Sequence, residues 1–191
     1  MRQRIISLLL VLALCLGTTA LAEERFTFRN GIHLGMTYEE IVSAEGREPD
    51  DMYDNILTYG SVNLCGLDGD TYLAYYLDCD GKLDTAVYCN EDNGIEMNEY
   101  MKGAISSVYG QCRSSTAKEL SDALQDYYVW FADESDWHIM NVLRWDMGDI
   151  YVYYANYSRY ESGENSRLVV VYVDSAKCGN NTSGLCDTSG L

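Results

Sequence analysis

Leu168-Val169-Val170-Val171-Tyr172-Val173 is the most strand-like run of the 191-residue chain. After its leucine every residue is β-branched or aromatic, and such side chains pack best on a pleated surface. It is the last of six strand-like runs. The first three are Asn55–Asn63, Thr71–Asp78 and Leu83–Cys89; later come Ile139–Asp146, Asp149–Tyr157 and Ser166–Asp174. Asp80-Gly81 predicts a tight type I′ hairpin, because that turn needs positive φ at both central positions. Asp68-Gly69 predicts a turn before Thr71, and Met147-Gly148 joins the fourth and fifth runs. Phe26 to Phe28 reads as a short opening strand.

Helix signals fall between the runs. Thr37 and Glu40 form a capping box, Met36 and Ile41 take the staple positions around it, Gly46 stops the helix and Pro49 lies just beyond. Met97, Met101, Ala104, Ile105 and Val108 make one apolar stripe that Gly110 ends. Thr116 and Glu119 repeat the capping-box pattern, and Leu120, Leu124, Tyr127, Tyr128 and Phe131 continue it at helical spacing. The order is helix, three strands, helix with an extra one, three strands. It predicts an α+β fold of two helix-plus-antiparallel-sheet units in tandem, about 26–92 and 95–175, with the helices packed on one face of the sheet.

The chain begins with the grammar of an export signal. Arg2 and Arg4 precede an apolar run from Ile5 to Leu16, and Ala20-Leu21-Ala22 is a small-residue close. The 12-residue run is too short for a bilayer span, which takes about 20 residues. Cleavage after Ala22 predicts a secreted domain over 23–175 with an irregular tail over 176–191, rich in Gly, Asn, Ser and Thr. Thirteen basic and 30 acidic residues give a net charge of −17. That charge repels phosphate backbones and anionic lipid and favours a soluble monomer, so neither a nucleic-acid nor a membrane partner is expected. Cys65, Cys79, Cys89, Cys112, Cys178 and Cys186 remain after cleavage. An even set in an oxidising compartment predicts disulfides, each adding roughly 2–4 kcal/mol. Cys178 with Cys186 would clamp the tail, and Cys65 with Cys89 is a second expected pair.

The opening Gly35-Met36-Thr37, followed by Glu39-Glu40-Ile41, Gly46 and Pro49, resembles the first helix of β-lactamase-inhibitor-like domains. That group includes the small outer-membrane lipoproteins of barrel-assembly machinery. The run Tyr75–Tyr88, with its Asp-Gly-Lys turn, is similar to their hairpin, and the helix ending at Tyr109-Gly110 is similar to the start of a second copy. The resemblance spans 28–174 in the order of elements but about 15 residues in motif. The cysteines and the stretch 116–138 depart from it. It implies a binding scaffold whose sheet face docks proteins, and it transfers no residue role.

Catalytic chemistry has little to stand on. His33 and His138 are the only histidines, and no H-E-x-x-H, C-x-x-C or G-x-S-x-G occurs. Asp78-x-Asp80-Gly81 and Asp68-Gly69-Asp70 are fragments of a calcium loop without its closing glutamate, and serve better as turns. A carboxylate pair for hydrolysis needs a separation that sequence does not show. No catalytic residue, metal or cofactor is expected, and the chain reads as a non-enzyme.

The surplus is tyrosine, 17 residues with three tryptophans. Tyr151, Tyr153 and Tyr157 share one face of their strand, and Tyr72 and Tyr76 alternate alike. Helices on one side would leave a sheet face open. Tyrosine is the residue of contact hot spots, although it is also simply a good strand former. The expectation is an exposed tyrosine-rich face that binds another protein, with inhibition of a partner enzyme as one form. The alternative is an extracellular carbohydrate- or small-ligand-binding module using the same rings.

Overall fold

A computed structural model describes residues 26–66, 71–93, 95–124, 137–159, 166–176 and 178. The predicted signal segment and its cleavage point, the Asp68-Gly69 turn, Tyr127, Tyr128, Phe131, Cys186 and most of the tail lie outside the described residues.

Eight strands form one antiparallel sheet. They are β1 (Asp51–Tyr53), β2 (Ile56–Tyr59), β3 (Thr71–Leu77), β4 (Leu83–Asn93), β5 (Arg113–Ser114), β6 (Trp137–Asp146), β7 (Ile150–Arg159) and β8 (Ser166–Asp174). The spatial order is β1-β2-β3-β4-β8-β7-β6-β5. β8 therefore lies at the centre, paired with β4 on one side and β7 on the other. Three helices accompany the sheet among the described residues: α1 (Tyr38–Glu45), α2 (Ile95–Tyr109) and α3 (Ala117–Leu124).

This architecture corrects the predicted fold class. The chain builds one continuous, sheet-dominated body rather than two helix-plus-sheet units in tandem. The helices do not share one face either. Ile41 of α1 with Met101 and Ile105 of α2 pack into one apolar cluster with Leu57, Leu73 and Val170. Leu120, Ala123 and Leu124 of α3 pack into a second cluster with Ala74, Val142 and Val171. Residues 170 and 171 point to opposite faces of β8, so the sheet separates the two clusters. A central strand buried on both faces has no polar side to alternate with, which is why 168–173 reads as an unbroken apolar run. All six of those residues are buried.

The local signals around α1 hold. Thr37 accepts from the Glu40 amide, the Glu40 carboxylate accepts from the Thr37 amide, and Gly46 closes the helix in the left-handed region at φ 70°. At α3 only half of the second box forms. The Glu119 amide donates to Thr116 Oγ1 at 3.1 Å, but the Glu119 carboxylate turns to Ser115 Oγ at 2.6 Å. The stripe of α2 is shorter than predicted: Val108 is exposed, and Tyr109 supplies the contact instead, its hydroxyl 3.1 Å from that of Tyr172. Phe26 to Phe28 is not a strand; the Phe28 ring packs edge-on against Tyr172 with centroids 5.0 Å apart.

The β3–β4 turn differs from the predicted I′ form. Gly81 takes φ 69°, while Asp80 is not among the described residues of positive φ. The Gly81 amide donates to the Asp78 carbonyl at 2.9 Å, and the Asp78 carboxylate accepts from the amides of Asp80 and Lys82. This is the longer hairpin loop, a type I turn followed by a left-handed glycine. Cys79 at its tip is disulfide-bonded. The predicted Cys65–Cys89 pair is not formed, and Cys178 is a free thiol rather than a clamp to Cys186.

Candidate functional site

Strand register brings all five predicted tyrosines to one face. One cross-strand row reads Tyr76, Thr85, Val173, Tyr151, Asp146. The next reads Ala74, Val87, Val171, Tyr153, Arg144, Arg113. Tyr72 pairs with Cys89 and Tyr157 with Arg167 further along the strands. That shared face is the one α3 covers.

The expected open face is therefore not open. Tyr76, Tyr153 and Tyr157 are 0%, 1% and 2% exposed. Tyr72 and Tyr151 are half-buried against the same cluster. Tyrosine serves here mainly as a large strand residue for a two-sided core. Burial pushes the Tyr153 phenol up to about 12, an effect that a hydrogen bond from Arg144 partly offsets. It also pushes Tyr72 up, with the Cys89 thiol hydrogen-bonded to it.

The surface end of this face is the corner where β5, β6 and β7 meet α3. Arg144 lies with its guanidinium carbon 3.9 Å from the centre of the Tyr151 ring. That ring meets Tyr153 edge-on, with centroids 6.4 Å apart and planes at 87°. Arg144 is held as a fork: Nε donates to Asp146 Oδ1 at 2.5 Å and Nη2 to Oδ2 at 3.0 Å. These bonds hold the Asp146 carboxyl below the usual carboxylate range. Arg113 bridges Asp146, at 3.7 Å, to Glu119 of α3, at 3.3 Å. The Ser115 hydroxyl, followed by the Arg113 charge, lowers the Glu119 carboxyl. The Cys178 thiol also reaches this corner, hydrogen-bonded to Tyr153 and pushed up to about 11 by burial.

None of Arg113, Glu119, Arg144 and Asp146 was singled out from the sequence. Arg144 and Asp146 stand two apart in a predicted strand and so share a face with Val142, a legible signal of a charged pair. Their meeting with Tyr151 depends on the β6–β7 register, which no local pattern sets.

A second polar centre sits under α1. Glu45 has a side chain 1% exposed and pairs with Arg29 at 3.2 Å. It also accepts from Asn30 Nδ2 at 3.0 Å and from the Tyr75 hydroxyl at 2.7 Å. An anion at a helix C-terminus opposes the helix dipole, so these donors stabilise it against its position. The arrangement ties the turn at Arg29–Gly31 to the sheet and reads as a structural staple.

Among the described residues no group of three or more His, Cys, Asp or Glu is placed to hold a metal ion. His33 Nδ1 lies 2.9 Å from the Leu34 carbonyl and His138 lies in β6, so the two histidines occupy separate elements. The carboxyls of Glu40, Asp50, Glu119 and Asp146 are each shifted downward. No protein-family model, curated protein or solved structure matches this chain.

Proposed function

We propose that this is an exported, non-enzymatic binding protein that meets a protein partner through the Tyr151–Arg144 corner. The observation that carries the reading is the guanidinium stacked on the half-buried Tyr151 ring. Tyrosine and arginine are the residues that concentrate contact energy at interfaces, and they do so best when already held in place. Arg144 is fixed by the Asp146 fork and Tyr151 by the ring of Tyr153, so little side-chain freedom remains to be lost on binding. The leader-like start and the acidic charge fit an exported chain, and the resemblance of its first helix to inhibitor-like domains fits a docking role.

The carbohydrate alternative through the same aromatics is weaker, because three of the five rings are shut inside the core. Hydrolysis by a carboxylate pair finds less support still. A general acid needs a raised carboxyl pKa, and the shifts at this corner run the other way.

The test is capture of proteins from the surrounding medium by the protein and by its Tyr151→Ser variant. One species enriched by the first and lost from the second supports the reading. Equal capture by both contradicts it.

A further inference from the structure

The outer edge of β1 lies at the opposite end of the sheet from β5 and the Tyr151 corner. Asp51, Met52 and Tyr53 are all exposed, and β1 contributes to neither apolar cluster. Met52 and Tyr53 are 53% and 66% exposed. Neighbouring residues of a strand face opposite ways, so both faces of this edge carry bare apolar surface.

The strand register sets what the edge offers. Tyr53 pairs with Ile56 across a two-residue turn at Asp54-Asn55, with Asp54 at φ 50°. Such a turn closes on a hydrogen-bonded pair, and the next pair, Met52 with Leu57, is then a non-hydrogen-bonded one. The Met52 amide and carbonyl accordingly point away from β2. The amide donates instead to Asp51 Oδ1 at 2.9 Å. An incoming strand would donate to the Met52 carbonyl, and its own carbonyl would take over the Met52 amide. The Asp51 carboxylate would then be released on the face that it shares with Tyr53.

The local charge selects the incoming strand. Residues 47–54 hold Glu48, Asp50, Asp51 and Asp54 against one cation, Arg47. Arg47 is itself engaged by Asp50, at 2.8 Å, and by the Gly60 carbonyl, at 2.9 Å. A second copy of this chain, at a net charge of −17, would bring like charge to the edge. A lysine or arginine opposite Asp51 would meet the released carboxylate and lay its cation on the Tyr53 ring. The next residue of the incoming strand, on the other face, would meet Met52.

We propose that β1 accepts, by strand addition, an extended basic segment of another protein in which lysine or arginine alternates with apolar residues. The site is remote from Tyr151 and stands independently of the contact proposed there.

The test follows the backbone amide signals of Met52 and Tyr53 by nuclear magnetic resonance. The probes are three capped peptides: lysine alternating with valine, its fully N-methylated form, and glutamate alternating with valine. The N-methylated form keeps the charge and loses every amide donor. The first peptide is expected to shift both signals saturably, and the other two to bind about tenfold more weakly or less. Met52→Pro is expected to fold, because that amide gives no bond to β2, and to lose the binding. If that variant fails to fold, Tyr53→Ser, at an exposed position, is expected to weaken the same titration several-fold. Equal binding by the N-methylated peptide, shifts spread over the acidic surface away from β1, or no saturable binding would overturn the proposal. Self-association of the chain that Met52→Pro abolishes would also overturn it, by giving the edge to a second copy.

Discussion

Tyr151 and Tyr153 stand two apart on one face of β7, yet a serine at each is expected to do different things. The Tyr153 ring is 1% exposed and packs with Val142 and Val171. Its loss should cost about 3–5 kcal/mol, the range for removing a large aromatic from a core. Tyr151 is half-buried at the edge of that cluster, between Arg144 and the Tyr153 ring, so its replacement should cost less than that of Tyr153, about 1–2 kcal/mol. Denaturant midpoints of the two variants check this directly. Equal destabilisation would mean that Tyr151 is core as well and unsuited to a contact role. The alternation that put both rings on one face was plain in the sequence. What separates them is the cover from α3, a contact between segments distant in the chain.

At the scale of elements, α1 is the part whose local rules suffice. Thr37→Ala is expected to cost about 1 kcal/mol through loss of the cap. An unchanged unfolding midpoint would remove the capping role. The same box gives a pH dependence. The Thr37 amide bond, followed by the Thr37 side chain, holds the Glu40 carboxyl below its ordinary value. A carboxyl lowered in the folded state contributes fully above its unfolded pKa of about 4 and loses that contribution as pH falls through the folded value. Glu40→Gln should therefore flatten the acid side of the stability profile and leave the neutral side nearly parallel to the parent. Equal acid-side slopes would contradict it. Capping boxes, glycine stops and β-branched runs act over a few residues, so α1, β3, β7 and β8 were legible in the chain. β1 and β5 were not, being three and two residues long and defined by their partners. The type I′ expectation at Asp80-Gly81 failed because the Asp78 carboxylate organises a longer loop.

For the whole molecule, the continuous sheet matters most. β4 and β8 pair over most of their length and join the strands before α2 to those after it. A body with that seam, and with apolar clusters reaching across it on both faces, should unfold in one cooperative transition. Coincident far-ultraviolet circular dichroism and tyrosine fluorescence curves would agree; two separated transitions would restore independent units. The two-sided core also explains how a chain with 17 tyrosines offers so little open aromatic surface. Binding by the tyrosine face is left to its edge, where Arg144 and Tyr151 emerge beside α3. The decisive measurement is the affinity of the captured partner for the parent protein and for Tyr151→Ser, made alongside their unfolding midpoints. A tenfold or greater loss of affinity with a midpoint close to the parent is the predicted result. Undiminished affinity in a folded variant would contradict the assignment of the corner as the contact surface.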